Sequence, residues 1–279
     1  ASNHNYLLLF TEFGKCYWLR VYEIPEAAKT SMGRAIQNLL TLPPGDKVRG
    51  YINIENLNDE EVLDKHFIVL CTKKGVIKKS SLRDFSRPRA NGIIAISINE
   101  GDQLVEAKLT NGNSEIILAN RTGRAIRFPE STVRSMGRSA AGVRGIRLDD
   151  SPDDYVIGMI CVDKDDSDAN ILVVSEKGNG KRSGLEDYRI TNRSGKGVRT
   201  LLVTEKTGRL IAIKLVHDTD DLMITTTNGI TIRMHVDALR IMGRATQGVR
   251  LIRLDETDEI GDVAVVRRDE DEEVETLAI

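Results

Sequence analysis

Short apolar runs that end at a glycine recur along the chain. They lie at residues 7–10 before Gly14, 68–71 before Gly75, 116–118 before Gly123, 171–174 before Gly178 and 222–224 before Gly229. Each glycine is followed by a second short run, such as Val76-Ile77, Arg124-Ala125-Ile126 or Ile230-Thr231-Ile232. A strand, a tight turn with glycine where positive φ is needed, and another strand form the pattern of a β-hairpin. A second anchor follows downstream. Gly142-Val143-Arg144, Gly197-Val198-Arg199 and Gly248-Val249-Arg250 each begin 19 residues after their hairpin glycine. Gly92 takes that place in the second repeat at 17 residues, and Ala35 in the first at 21. An apolar run, an acidic turn and a further apolar run complete each unit. The pattern predicts four short strands per unit, with no amphipathic helix between them. Repeats are expected at about 6–54, 67–109, 114–162, 170–216 and 221–266, within one domain over 1–266 and before an acidic, disordered tail at 267–279. Four-stranded units at this period predict an all-β fold of blades set around an axis.

Aromatic residues are 4% of the chain, so the core must be built from Ile, Leu, Val and Ala. No apolar stretch reaches the roughly 18 residues of a membrane span, and no signal peptide opens the chain. The start at Ala1, with an apolar run almost at once, reads as a fragment of something longer. Cys16, Cys71 and Cys161 are odd in number and widely spaced, which predicts free thiols in a reducing cytoplasm.

The net charge of −2 conceals a strong segregation. Windows 14–36, 73–89, 121–147, 177–199 and 228–250 hold 29 of the 40 basic residues and only 7 of the 42 acidic ones. An even spread would place about 16 basic residues there, so the asymmetry is an electrostatic footprint for a polyanion. The residue four beyond the hairpin glycine is Lys79, Arg127, Arg182 or Arg233 in four repeats, and Trp18 in the first. Four before the second anchor stand Arg138, Arg193 and Arg244. Charges returning at fixed addresses predict a basic stripe. The candidate polyanion-contacting set is completed by Arg34, Lys78, Arg87, Arg89, Arg124, Arg144, Lys181, Lys196, Arg199 and Arg250. Few aromatics lie in these windows, and no helix-turn-helix or zinc finger is visible. Both facts point to phosphate contacts and away from single-strand binding, while RNA or a heparin-like polyanion stays open on electrostatics alone.

Catalytic and metal chemistry find little support. The four histidines are scattered. The acidic run at 163–168 lacks the glycine and the closing glutamate of a calcium loop. Gly178-Asn179-Gly180-Lys181 lacks the earlier glycine and the Ser or Thr of a phosphate loop. A protein-interaction propeller would carry an apolar or mixed rim in place of a basic one.

Several phrases resemble the C-terminal domain of the DNA gyrase A subunit, a type IIA topoisomerase. They are the residues 21–27 and 33–40, the run Ile126-Arg127-Phe128-Pro129-Glu130-Ser131, Val133 to Arg138 with Gly142 to Leu148, and Met242-Gly243-Arg244 with Gln247-Gly248-Val249. The resemblance implies a β-pinwheel, a propeller-like disc whose blades exchange strands, with five of six repeats present. It implies a non-catalytic domain that wraps duplex DNA and gives negative supercoiling its direction. It also implies a breakage-reunion domain in the same parent chain, a gyrase B partner, no cofactor in this domain, and ATP and Mg2+ used elsewhere in a cytoplasmic, nucleoid-associated enzyme. The family's first-blade heptapeptide Gln-Arg-Arg-Gly-Gly-Lys-Gly has no intact copy here. The nearest match, residues 191–197, keeps Arg193 and Gly195-Lys196-Gly197. The alternative parent is a topoisomerase IV A subunit, which lacks that heptapeptide and positions DNA without full wrapping.

Overall fold

Five successive hairpins form where the glycine-terminated runs predict them, in a computed structural model that describes residues 1–28, 31–255 and 257–267. All five hairpin glycines have positive φ, from 78° at Gly178 to 87° at Gly229. In the first repeat β1 (Tyr6–Thr11) and β2 (Lys15–Arg20) are followed by β3 (Val48–Ile54). The second holds β4 (Phe67–Thr72), β5 (Val76–Ser81), β6 (Ile93–Ile94) and β7 (Leu104–Thr110). The third holds β8 (Glu115–Asn120), β9 (Arg124–Pro129), β10 (Val143–Arg144) and β11 (Val156–Val162). The fourth holds β12 (Asn170–Ser175), β13 (Asn179–Gly184), β14 (Val198–Arg199) and β15 (Leu210–Val216). The fifth holds β16 (Asp220–Thr226), β17 (Thr231–His235), β18 (Val249–Arg250) and β19 (Ile260–Arg267). Arg267 thus ends a strand, and the rest of the expected acidic tail, 268–279, lies outside the described residues.

The sheets do not follow the repeats. Their orders are β3-β1-β2-β6, β7-β4-β5-β10, β11-β8-β9-β14, β15-β12-β13-β18 and β17-β16-β19. Each two-residue strand after an anchor glycine joins the hairpin of the preceding repeat, as Val198 pairs with Ala125 and Arg199 with Arg124. This is the strand exchange that the resemblance implies. The last sheet has three strands among the described residues.

The chain forms two compact units. The first comprises Ala1–Glu115, Pro129–Arg147 and Asn192–Ser194; the second comprises Ile116–Phe128, Leu148–Thr191 and the chain from Gly195 onward. In the first, β3 lies against β7, and in the second β15 lies against β11 and β19. The exchanged strand therefore sits on the edge of its sheet opposite to these packed strands. Alternate residues of the long strands fill the cores. Leu8, Phe10, Ile68, Leu70, Leu82 and Phe85 are all fully buried in the first unit, with the Phe10 and Phe85 rings edge-to-face at 5.8 Å. Ile117, Ile171, Val173 and Leu210 do the same in the second. Cys16 and Cys71 are free and buried, and Cys161 is free and half-buried.

The anchor glycine is constrained twice. At Gly197 φ is +71°, and a Cβ there would lie 2.3 Å from the Ala125 carbonyl oxygen. The same close approach occurs at Gly142 with Ile77 and at Gly248 with Gly180. The exchanged strand can dock only where its entry residue has no side chain. In the first repeat no exchanged strand follows Ala35, and the residues beyond it form a 3₁₀ turn at Ile36–Asn38. Gly33, 19 residues beyond Gly14, has φ +69°, and nothing lies within 4 Å of its Cβ position.

The acidic turns are structural. One carboxylate oxygen of Asp46 accepts the Phe13 amide at 3.1 Å, and Asp102 does the same for the Lys74 amide at 2.8 Å. Asp154 accepts from Thr122 and Asn120, and Asp258 from Thr227 and the Asn228 amide. In four repeats an aspartate thus closes the hairpin turn of its own sheet. A second difference from the expectation lies at Glu60–Lys65, which forms a short α-helix, α1. The Asp59 side chain caps it by accepting the Glu61 and Val62 amides, two acids occupy its first turn and Leu63 is buried. Six residues are too few to display a helical period in the sequence.

Candidate nucleic-acid interface

The address four beyond the hairpin glycine turns inward. Trp18 Nε1 donates to the Phe85 carbonyl at 2.9 Å, and Lys79 Nζ lies 3.5 Å from the Glu130 carbonyl. Arg127 donates to the carbonyls of Leu185 and Tyr188, and Arg182 to that of Leu239. The acceptors all belong to the turn that opens the next repeat's crossing segment, three of them 3₁₀ turns at Leu82–Phe85, Glu130–Thr132 and Leu185–Asp187. Buried carbonyls at the end of a turn need donors. An indole N–H serves one repeat as a guanidinium serves another, so a hydrogen-bond donor is what the address has in common, although Lys79 and Arg182 also pair with the carboxylates of Glu130 and Asp218. Lys79 and Arg182 are buried, and Arg127 is half-buried. The outward stripe expected here is corrected to an inward latch. Trp18 is the signal in the sequence that points to it. Arg233 has no following repeat to hold among the described residues; it lies exposed and donates to Asp221 at 2.7 Å.

Lys78 and Lys181, three beyond their glycines, are fully buried. Lys78 Nζ donates to the carbonyls of Ala95 and Arg138, and Lys181 Nζ to the Gly243 carbonyl at 2.6 Å and Thr246 Oγ1 at 3.1 Å. Burial pulls each ammonium down to a pKa of about 8. No surface is left on either for a direct phosphate contact. Both expected contacts are therefore corrected, because the ammonium group is used on backbone carbonyls of the crossing segments.

The address four before the anchor is half-exposed. Arg193 reaches the Arg144 carbonyl at 3.0 Å and the Thr132 carbonyl at 3.2 Å, and Arg244 reaches the Arg199 carbonyl at 2.9 Å. Arg138 lines a cleft with Arg89, Gly92 and Ile94. Arg124 is half-buried beside the Gly197 carbonyl, and exposed Lys196 pairs with Asp149 at 2.7 Å. Arg34, Arg87 and Arg89 are exposed.

The most regular exposed cations stand on the exchanged segments. Arg144, Arg199 and Arg250 are exposed at the edge of their sheets, each 21 residues beyond a hairpin glycine. Arg134, Arg189 and Arg240, each 11 beyond, are also exposed. Among the described residues no hydrogen bond or ion pair engages the guanidinium groups of these six. The second trio is absent from the candidate set read from sequence, although its constant spacing is as legible as that of the latch residues. Arg250 shares a cavity of about 600 Å³ with Asn179, Lys206 and Arg253, which places three cations on one depression of the second unit.

A family model described as the DNA gyrase C-terminal domain, beta-propeller, matches residues 5–55, 66–111, 114–163, 169–217 and 220–267. The DNA gyrase A subunit of Staphylococcus aureus strain MRSA252 is 42% identical over 274 residues, covering 98% of this chain, and that of strain NCTC 8325 is 41% identical over 272. The chain spans about 30% of the length of these relatives. Among solved structures, the C-terminal domain of a DNA topoisomerase IV matches with a TM-score of 0.84 at 24% identity, over 99% of this chain and 83% of that one. A DNA gyrase A C-terminal domain matches with a TM-score of 0.80 at 23% identity, over 95% of this chain and 84% of that one. The five matched segments coincide with the five hairpin-led repeats and leave only their connections and the two ends unmatched, so this chain belongs to the DNA gyrase C-terminal domain family of β-propellers.

Proposed function

We propose that this chain is a non-catalytic DNA-binding domain that bends duplex DNA along the exchanged edges of its blades, as the wrapping element of a gyrase A subunit. The observation that carries the reading is the repeated pair of exposed arginines, Arg134 with Arg144, Arg189 with Arg199 and Arg240 with Arg250. Guanidinium groups with no protein partner among the described residues suit bidentate contact with phosphate oxygens. Among the described residues no base-reading helix accompanies them, so sequence preference is confined to how easily the duplex bends. The parent enzyme supplies DNA breakage in another domain and ATP hydrolysis in a B subunit, in the cytoplasm and on the nucleoid. Relatives that are DNA gyrase A subunits, at 41–42% identity across nearly the whole chain, favour gyrase over topoisomerase IV as the parent.

The direct test is a salt titration of duplex binding. Neutralising phosphates releases counterions, so six to ten contacts cost about 10³ to 10⁵ in affinity between 50 and 200 mM salt. Duplexes of unrelated sequence should show the same slope. Binding that ignores salt, or that is tight for one sequence alone, refutes the proposal.

A further inference from the structure

Two lysines with no access to solvent occupy the same place in the second and fourth blades, and both act on an arginine-bearing segment. Lys78 lies on β5 and donates to the backbone carbonyl of Arg138, midway between Arg134 and Arg144. Lys181 lies on β13 and donates to the carbonyl of Gly243 and the hydroxyl of Thr246, midway between Arg240 and Arg250. The serine two residues on repeats the attachment: Ser80 Oγ donates to the Met136 carbonyl at 2.9 Å, and Ser183 Oγ to the Met242 carbonyl at 2.7 Å. Backbone bridges to the strand reinforce it, from the Met136 amide to the Lys79 carbonyl and from the Met242 amide to the Arg182 carbonyl, both at 2.8 Å.

An ammonium is an expensive group to bury where a packed apolar chain would serve. Lysine nonetheless stands at both sites, each beside an arginine whose charge opposes its own, Arg138 near Lys78 and Arg244 near Lys181. Asp84 and Asp187 outweigh that repulsion, so the main cost at each site is the desolvation of the ammonium. What lysine supplies and an apolar residue cannot is a set of donors at the end of a long reach. Those donors converge on the midpoint of a segment that otherwise crosses the sheet edge as loop. In the third blade, Ile126 takes the same address three beyond Gly123 and supplies no such tether.

We infer that Lys78 and Lys181 are positioning residues for the polyanion interface, each fixing from beneath the segment that presents a pair of phosphate-binding arginines. The inference rests on the DNA-binding reading above. Neither lysine touches the ligand. Each holds the backbone so that the flanking guanidinium groups keep the spacing a duplex backbone requires, which lowers the ordering cost at binding.

Double-mutant cycles on the purified chain test this, with a random-sequence duplex as probe and folding checked by circular dichroism. Lys78→Met should weaken binding by about fivefold, close to the loss from R134A/R144A, as expected when two exposed phosphate contacts are disordered. Combining K78M with R134A/R144A should add little further loss, whereas combining it with R240A/R250A should multiply the two losses. Lys181→Met should show the reverse selectivity. A general loss of stability does not couple to one blade's arginines and spare the other's. If Lys78→Met does not fold, Lys78→Gln, which keeps a donor on a shorter reach, enters the same cycle. Losses that multiply within the lysine's own blade overturn the positioning role while leaving the DNA-binding reading intact. Failure of the unmodified chain to bind duplex overturns that reading itself.

Discussion

Duplex DNA should dissociate from a variant with alanine at Arg134, Arg144, Arg189, Arg199, Arg240 and Arg250 at salt concentrations the unmodified chain withstands. All six side chains are exposed, and no protein group within the described residues engages them. Their removal therefore subtracts contacts to the ligand and leaves the fold nearly untouched. At about 0.5 kcal/mol for each exposed contact, the loss is about 3 kcal/mol, on the order of a hundredfold in affinity. The slope of log affinity against log salt should fall in magnitude by about five, near 0.9 for each contact. Replacing the latch residues cannot serve as a comparison, because Arg127 and Arg182 hold buried carbonyls. Replacing Arg138, Arg193 and Arg244 is the informative contrast. Arg193 and Arg244 also grip the carbonyls of Arg144 and Arg199, so their loss should disturb the edge as well as the charge. Fluorescence anisotropy across a salt series reads both variants. A six-alanine variant that binds like the unmodified chain removes the exchanged edges from the interface.

Alanine at Gly197 should destabilise the second unit severely. Two costs combine there. A residue with a side chain at φ +71° loses about 1–2 kcal/mol to backbone strain. The new Cβ also falls 2.3 Å from the Ala125 carbonyl oxygen and 2.6 Å from its carbon, backbone atoms held in β9. The exchanged strand β14 must move away, which opens two ladder positions. A total of about 3–5 kcal/mol is expected, in the range reserved for clashes and broken buried networks. Gly33→Ala is the control. Its φ of +69° is nearly the same, but open space surrounds the Cβ position, so only the strain remains. Thermal unfolding of the two variants separates the terms. Equal losses at Gly33 and Gly197 mean that the close approach contributes nothing.

The repeat and its hairpins are legible because glycine at a positive-φ turn and alternating apolar residues are local signals. The exchange is not legible from pattern alone. A two-residue strand such as Val198–Arg199 looks the same whether it pairs within its own repeat or with the one before. Only the family resemblance carries it. Charge is legible in the sequence by region, but the role of each charged residue is not. Lys79, Arg127 and Arg182 recur for a hydrogen-bonding reason, and recurrence by itself cannot tell a donor needed inside from a cation needed outside. Arg134, Arg189 and Arg240 stand at a constant 11 residues beyond the hairpin glycine, so their address is legible in the sequence, and only their exposure had to come from the structure. Ala35 is placed by its distance from Gly14 alone, whereas the left-handed residue of that stretch is Gly33.

Because four of the five sheets among the described residues borrow an outer strand, synthesis and folding run out of step. The β4–β5 hairpin is complete at Ser81, but the strand that covers its edge ends at Arg144, some sixty residues later. At about 5–20 residues per second, a growing chain carries that edge open for several seconds. The uncovered positions are Val76 and Ile77, the kind of apolar edge that invites pairing with another chain. The same delay recurs at every exchanged blade, so a ribosome paused between hairpin and crossing segment holds the molecule at its most association-prone point. Cuts made at the ends of the repeats would freeze that exposed stage permanently. A piece that keeps its edges covered has to run on into the next repeat, past the exchanged arginine.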